Sequence, residues 1–205
     1  MQRPRETLTH GPVTLHRWRA GAGPAAELAQ AVTESAGLLR PFMPWARGEY
    51  GLADAEQFLD SCEQGWEAGT EFSYAIRSGP VPASPVPASP ALAGGAGLMG
   101  RIGPDGLEIG YWVHAGHVRR GLATAATIAL ITEAFTLPGI SRVEIRHDEL
   151  NTASGGIPRK LGFTYVRSVP GSDSRLDGTE PTDLVWEITR ERWGSPATSG
   201  PAQQQ

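Results

Sequence analysis

The stretch VRRGLATAA, Val118 to Ala126, sets two arginines and a glycine at the start of what reads as a helix. Fixed positive charge there opposes the helix dipole by roughly 0.3 to 1 kcal/mol per charge, so a negative partner belongs beside it. Just before it, LEIGYWV (107–113) reads as a strand. After it the helix continues, with Ile128, Ile131 and Phe135 on one face, and stops at LPG. A strand, a glycine-containing turn and a helix aim several unpaired backbone N–H groups at one spot, the general arrangement for holding phosphate. Gly121 lets the backbone approach closely, Ala123 is too small to block it, and Arg119 and Arg120 add charge-assisted contacts to phosphate oxygens.

Which phosphate compound binds there is open at this level. A nucleoside triphosphatase needs Gly-Lys-Ser or Gly-Lys-Thr at the end of its glycine loop, and the single lysine, Lys160, sits far away in PRKLGF. The G-x-G-x-x-G of a dinucleotide fold is absent. A basic helix start on a solvated surface is the plain alternative. Composition adds a bound: 18 basic against 22 acidic residues, net charge −4, give no general hold on nucleic acid or an anionic bilayer. No nucleic-acid or membrane partner is expected, and any anion site is local.

Working outward, 205 residues predict one domain, residues 1–193, followed by a disordered tail, 194–205. One cysteine, Cys62, excludes an internal disulfide framework, and the first residues carry no apolar run, so a cytoplasmic protein is expected. PVTLHRW (12–18) alternates as a strand, and a helix follows over about 25–39. RPFMPWARGEY, broken by Pro41 and Pro44, reads as a loop with half-buried aromatics. Residues 52–68 predict a helix with Phe58, Leu59, Cys62 and Trp66 on one face, making Cys62 a core thiol. EFSYAI (71–76) and Leu98 to Ile102 read as strands. Between them a Pro/Ala/Ser-rich insertion at about 78–97 holds VPASP twice and reads as a disordered hairpin extension. SRVEIRH (141–147) is the next strand. NTASGGIPRKLG predicts only a short or broken helix, capped by Asn151 and weakened by Gly155, Gly156 and Pro158. FTYVRSV (163–169) and DLVWEITRERW (183–193) predict a closing antiparallel pair.

These residues resemble the GNAT superfamily of N-acetyltransferases, and within it the RimJ/RimL-like branch. The acetyl-CoA signature [Q/R]-x-x-G-x-[G/A] is matched by VRRGLA, with Val118 where glutamine or arginine is usual. A second block, an asparagine twelve residues before the phenylalanine of an L-G-F ending, is matched by Asn151 and Phe163 in NTASGGIPRKLGF. The resemblance covers Gly106 to Phe163 most firmly. It implies an α/β fold with a mixed, mostly antiparallel twisted sheet flanked by helices, and an acetyl-CoA cleft between splayed strands that end near Val113 and His147.

The same resemblance implies the site. Val118 to Thr124, that is Val118, Arg119, Arg120, Gly121, Leu122, Ala123 and Thr124, would hold the diphosphate of acetyl-CoA. Trp112, Val113 and His114 would offer backbone groups to the pantetheine arm. Asn151 would lie near that arm, Ser154 would hydrogen-bond the sulfur, and Arg159 would reach the adenosine phosphates. LLRPFMPWA looks like the loop that walls the acceptor pocket, which points to Met43 and Trp45. Glu108 is the expected general base, with Glu144 and Asp148 as reserves. The usual acid, a tyrosine five residues before Phe163, is replaced by Pro158. The histidines make no supported ligand set, so no metal is expected. The implied reaction is direct attack of a primary amine, on a small molecule or a protein N-terminus, on the thioester, and a homodimer is compatible with it. An inactive acyl-CoA-binding regulator is the rival reading.

Overall fold

The computed structural model describes residues 2–78, 90–171 and 174–195. Its strands are β1 (Thr7–His10), β2 (Val13–Arg17), β3 (Glu71–Ser78), β4 (Ala91–Met99), β5 (Gly106–Val113), β6 (Arg142–Asp148), β7 (Thr164–Pro170) and β8 (Thr182–Thr189). They form one sheet in the order β1-β2-β3-β4-β5-β6-β8-β7. Among the described residues every neighbouring pair is antiparallel except β5 and β6. A parallel pair needs a long crossover, and α3 (Leu122–Ala134) supplies it.

Strand alternation sorts the two faces. On one, α1 (Ala22–Leu39) and α2 (Leu52–Ala68) bury Leu28, Val32, Leu59 and Cys62 against Trp18, Ala75 and Leu92. On the other, α3 buries Leu130 and Ile131 among Leu15, Tyr74, Ile109 and Val143. Cys62 is a buried free thiol whose pKa is pushed up to about 12 by burial, in keeping with a core role. The mixed, mostly antiparallel sheet flanked by helices is the expected fold.

Three local expectations are corrected. The fourth strand begins at Ala91, not Leu98, so residues 91–97 belong to the sheet rather than to an insertion. ALAGGAGLM offers few side chains whose alternation could be read. Its glycines answer to neighbours instead: a Cβ on Gly94, at φ +149, would lie 2.1 Å from the Trp112 carbonyl oxygen. The predicted hairpin extension on 79–89 lies outside the described residues.

The helix α3 starts at Leu122, not at the arginines. Arg119 (φ 60) and Gly121 (φ 75) are left-handed, so both arginines stand in the turn before it. The last strand stops at Thr189, whose hydroxyl accepts from Arg192 N at 3.3 Å and opens α5 (Arg190–Gly194). That short helix also takes in Gly194, where the tail was expected to start. As expected, α4 (Thr152–Lys160) is short, nine residues in one unbroken run, and is capped by Asn151, whose side-chain oxygen accepts from Ser154 N at 3.1 Å. Strand β1 has no counterpart in the sequence reading.

Candidate functional site

Pairing between β5 and β6 runs from Gly106↔Arg142 to Ile109↔Ile145 and then ends. Beyond it β5 stays paired to β4 as far as Val113, and β6 to β8 as far as Asp148. The two strands therefore part, and one edge of Gly110 to Val113 faces a gap. At the mouth of the gap the chain turns through Arg119 and Gly121 into α3. Among the described residues, none of the amides from Val118 through Thr124 donates to a protein acceptor; the first such bond is Ala125 N to the Gly121 carbonyl, 2.9 Å. Consecutive free amides, no acid in the first helical turn and two adjacent arginines make an anion cradle.

A cavity of about 490 Å³ connects this cradle to the parting of the strands. Of the expected residues, Trp112 and Val113 line it from β5, and Val118, Arg119, Gly121, Leu122, Ala123 and Thr124 line it from the turn and α3. Asn151 and Ser154 line it from α4, and Met43 from the segment after α1.

Other expected residues do not line it. His114 accepts from Gly116 N at its Nδ1 (3.0 Å) and its Nε2–H donates to Glu34 (2.9 Å), tying the end of β5 to α1. Arg159 places its guanidinium 5.0 Å over the Trp186 ring. Trp45 stands outside, edge-on to Trp112 at 6.4 Å, and supports that ring rather than the cavity itself. Arg120 faces away from the cavity but acts on it through charge. The His117 imidazole, which lines the cavity, has its pKa lowered by desolvation first, then by Arg120 and His114.

Glu108 lies two residues short of the parting, where β5 is still paired to β6, and its carboxylate is held by Arg101, with Nε at 3.1 Å. It belongs to a separate cavity of about 620 Å³ shared with Arg142 and Glu144. The reserves are held as well. Glu144 meets Arg167 at 3.2 Å, and Asp148 meets Arg175 through two bonds of 2.9 and 3.0 Å. Burial pulls the Asp148 carboxyl up, but Arg175 and the Leu150 amide outweigh it and leave its pKa below the ordinary range.

Sequence reasoning missed Tyr111, His117 and Ile157; Leu38, Leu39 and Phe42 belong to the LLRPFMPWA loop expected to wall the acceptor pocket, although only Met43 and Trp45 were singled out in it. Tyr111 was accessible in principle, as the one hydroxyl on the strand that precedes the gap. Which residues of that loop face the cavity was not, because only the return of α1 over the sheet brings them to β5. Among the described residues no three His, Cys, Asp or Glu side chains converge as metal ligands do, and no helix is long and apolar enough to cross a membrane.

Comparison with known proteins agrees with this geometry. Residues 13–164 match the family model described as an acetyltransferase (GNAT) domain. No curated protein matches the chain. Among solved structures, RimL, described as a ribosomal L7/L12 alpha-N-protein acetyltransferase in complex with coenzyme A, is 17% identical with a TM-score of 0.77, covering 91% of this chain and 99% of its own. Mycobacterium smegmatis RimJ in complex with CoA-disulfide is 19% identical, with a TM-score of 0.77 and coverage of 95% and 93%. The microcin C7 self immunity acetyltransferase MccE, in complex with acetyl-CoA and AMP, is 19% identical, with a TM-score of 0.73 and coverage of 87% and 92%. The chain belongs to the GNAT acetyltransferase family, whose enzymes take acetyl-CoA as co-substrate, and it has the fold of RimL and RimJ.

Proposed function

We propose that this protein transfers the acetyl group of acetyl-CoA to a primary amine by direct attack, with the coenzyme lying from the α3 amides to the parting of β5 and β6. The observation that carries the reading is the run of free amides from Val118 to Thr124, opening onto a gap where β5 has lost its partner. Acetyl-CoA supplies an acetyl group already activated as a thioester. The α3 amides and Arg119 hold the diphosphate. The free edge from Gly110 to Val113 takes the pantetheine arm as an added strand and polarises the thioester carbonyl. Ser154 is assigned to the leaving sulfur.

The acceptor is assigned to the end walled by Leu39, Phe42, Met43 and Trp112. An apolar wall disfavours an ammonium and so lowers the amine's pKa, which supplies part of the deprotonation. Glu108, held by Arg101 in the neighbouring cavity, is assigned that proton through water. Positioning supplies much of the remaining rate. The same fold serves an enzyme named for a ribosomal protein N-terminus and one named for microcin immunity, so the acceptor class is a primary amine, on a protein N-terminus or a small molecule.

The arginine pairing of Glu108, Glu144 and Asp148 favours a second reading, an acyl-CoA-binding protein without turnover. Mixing the protein with acetyl-CoA and a panel of amines separates the two. Release of free thiol above the uncatalysed rate is expected, whereas calorimetric binding without release supports the second reading. Gly121→Val is expected to weaken coenzyme binding about tenfold or more, because a β-branched residue at φ +75 costs roughly 1–2 kcal/mol and displaces the cradle.

A further inference from the structure

Two features of α4 meet at one atom. Pro158 lies inside the helix and has no N–H, so the carbonyl of Ser154, four residues earlier, has no helical donor. The Tyr111 hydroxyl on β5 takes that place, donating to the Ser154 carbonyl at 3.1 Å. A carbonyl has no proton to give, so the phenol's single hydrogen is committed to this bond. Burial holds the phenol above its ordinary pKa, only partly offset by the Ser154 side chain, and it stays protonated across the neutral range.

Ser154 is held from its other side too, since its N–H donates to the Asn151 side chain at 3.1 Å. Side chains thus fix both of its peptide groups. The tyrosine bond also spans the opening of the sheet: Tyr111 is the second residue after the last β5–β6 pair, and α4 follows β6. Both residues line the cleft.

We propose that Tyr111 is a positioning residue that holds the Ser154 hydroxyl against the leaving sulfur of coenzyme A. This rests on the cleft reading above. When the amine nitrogen has bonded to the carbonyl carbon and the C–S bond breaks, the electron pair stays on sulfur. A hydroxyl held beside that sulfur stabilises the thiolate by hydrogen bonding, with no proton transferred. Pro158, which removes a helical donor, and Tyr111, which replaces it, act as one device.

The test needs no acceptor: the thiol of bound coenzyme A is titrated through the ultraviolet absorbance of its thiolate, below pH ~10 where an ordinary tyrosine ionises. Cys62, pushed up to about 12, contributes little in that range. The bound thiol is expected to ionise about one unit below that of free coenzyme A titrated alongside it. Tyr111→Phe returns at least half of that shift, Ser154→Ala returns all of it, and the double variant goes no further than Ser154→Ala. Adding Pro158→Ala to Tyr111→Phe restores a helical N–H to the Ser154 carbonyl and with it the lowered midpoint. With an amine substrate, Tyr111→Phe lowers kcat about tenfold at unchanged KM for acetyl-CoA.

An unshifted thiol on the wild-type protein, a Tyr111→Phe midpoint equal to wild type, or additive losses in the double variant overturns the inference. If Tyr111→Phe does not fold alone, it is read in the Pro158→Ala background, where a restored helical N–H makes the tyrosine dispensable: Tyr111→Phe with Pro158→Ala is expected to keep the Pro158→Ala midpoint, and a higher midpoint overturns the inference. Absence of any coenzyme binding overturns the cleft reading itself, so the two failures are distinguishable.

Discussion

At the scale of single residues the site is defined by what backbone groups lack. Val118 to Thr124 keep their amides free because a left-handed Arg119 and Gly121 turn the chain before α3 has carbonyls to offer. His117 sits in the same cavity with its pKa lowered by desolvation, Arg120 and His114. Its native value lies below the unfolded one, so the unfolded chain takes the proton first. The contribution to stability is present above the unfolded value of ~6.5 and is lost as pH falls toward and through the lower native value. A bound anion reverses the local field and raises this pKa, so coenzyme binding near pH ~6 is expected to take up a fraction of a proton. Calorimetry in buffers of different ionisation enthalpy reads that uptake. Its persistence in His117→Asn shows that another group is responsible. The glycine and arginines of this turn were legible because their charge and backbone freedom are local properties. Glu108, the expected general base, is held by Arg101 of the β4–β5 connection, seven residues before it, a contact that strand alternation does not announce.

Among the elements, β4 and α4 show where pattern reading runs out. Strand β4 is built of small residues because both of its faces are occupied: a Cβ on Gly95 would lie 2.6 Å from Trp112 Nε1. Gly95→Ala is therefore expected to push the indole into the cleft. The outcome is a loss of about 1–3 kcal/mol in denaturant titration, with a several-fold rise in acceptor KM. An unchanged midpoint and KM mean that the ring relaxes freely. Alternation cannot reveal such a strand, since nothing alternates. Helix α4 was read as short or broken on the strength of Gly155, Gly156 and Pro158. It is continuous because neighbours supply what its own residues withhold. Gly155 admits the His147 ring, 2.8 Å from where a Cβ would stand, and Tyr111 satisfies the carbonyl that Pro158 leaves open.

Across the whole molecule the N-terminal segment closes the fold onto α3. Arg5 donates its backbone N–H and its guanidinium to Glu133, whose side chain is only 2% exposed, across 128 positions of sequence. Removing the arginine leaves a buried carboxylate short of donors. Arg5→Ala is expected to lower unfolding free energy by about 1–3 kcal/mol while leaving coenzyme affinity within about twofold; loss of affinity in parallel with stability means that this tie also shapes the cleft. The mixed sheet flanked by helices was implied by the resemblance; what the sequence by itself determined was the strand–turn–helix that cradles an anion and the Asn151 cap. These depend on charge, backbone freedom and periodicity within a few turns of chain. Only the tertiary structure decided that Glu144 and Asp148 are engaged by arginine, which hydroxyl supports Ser154 and which residues wall the acceptor end. Those depend on strands and helices far apart in sequence meeting at the place where β5 and β6 separate, and no local pattern encodes that meeting.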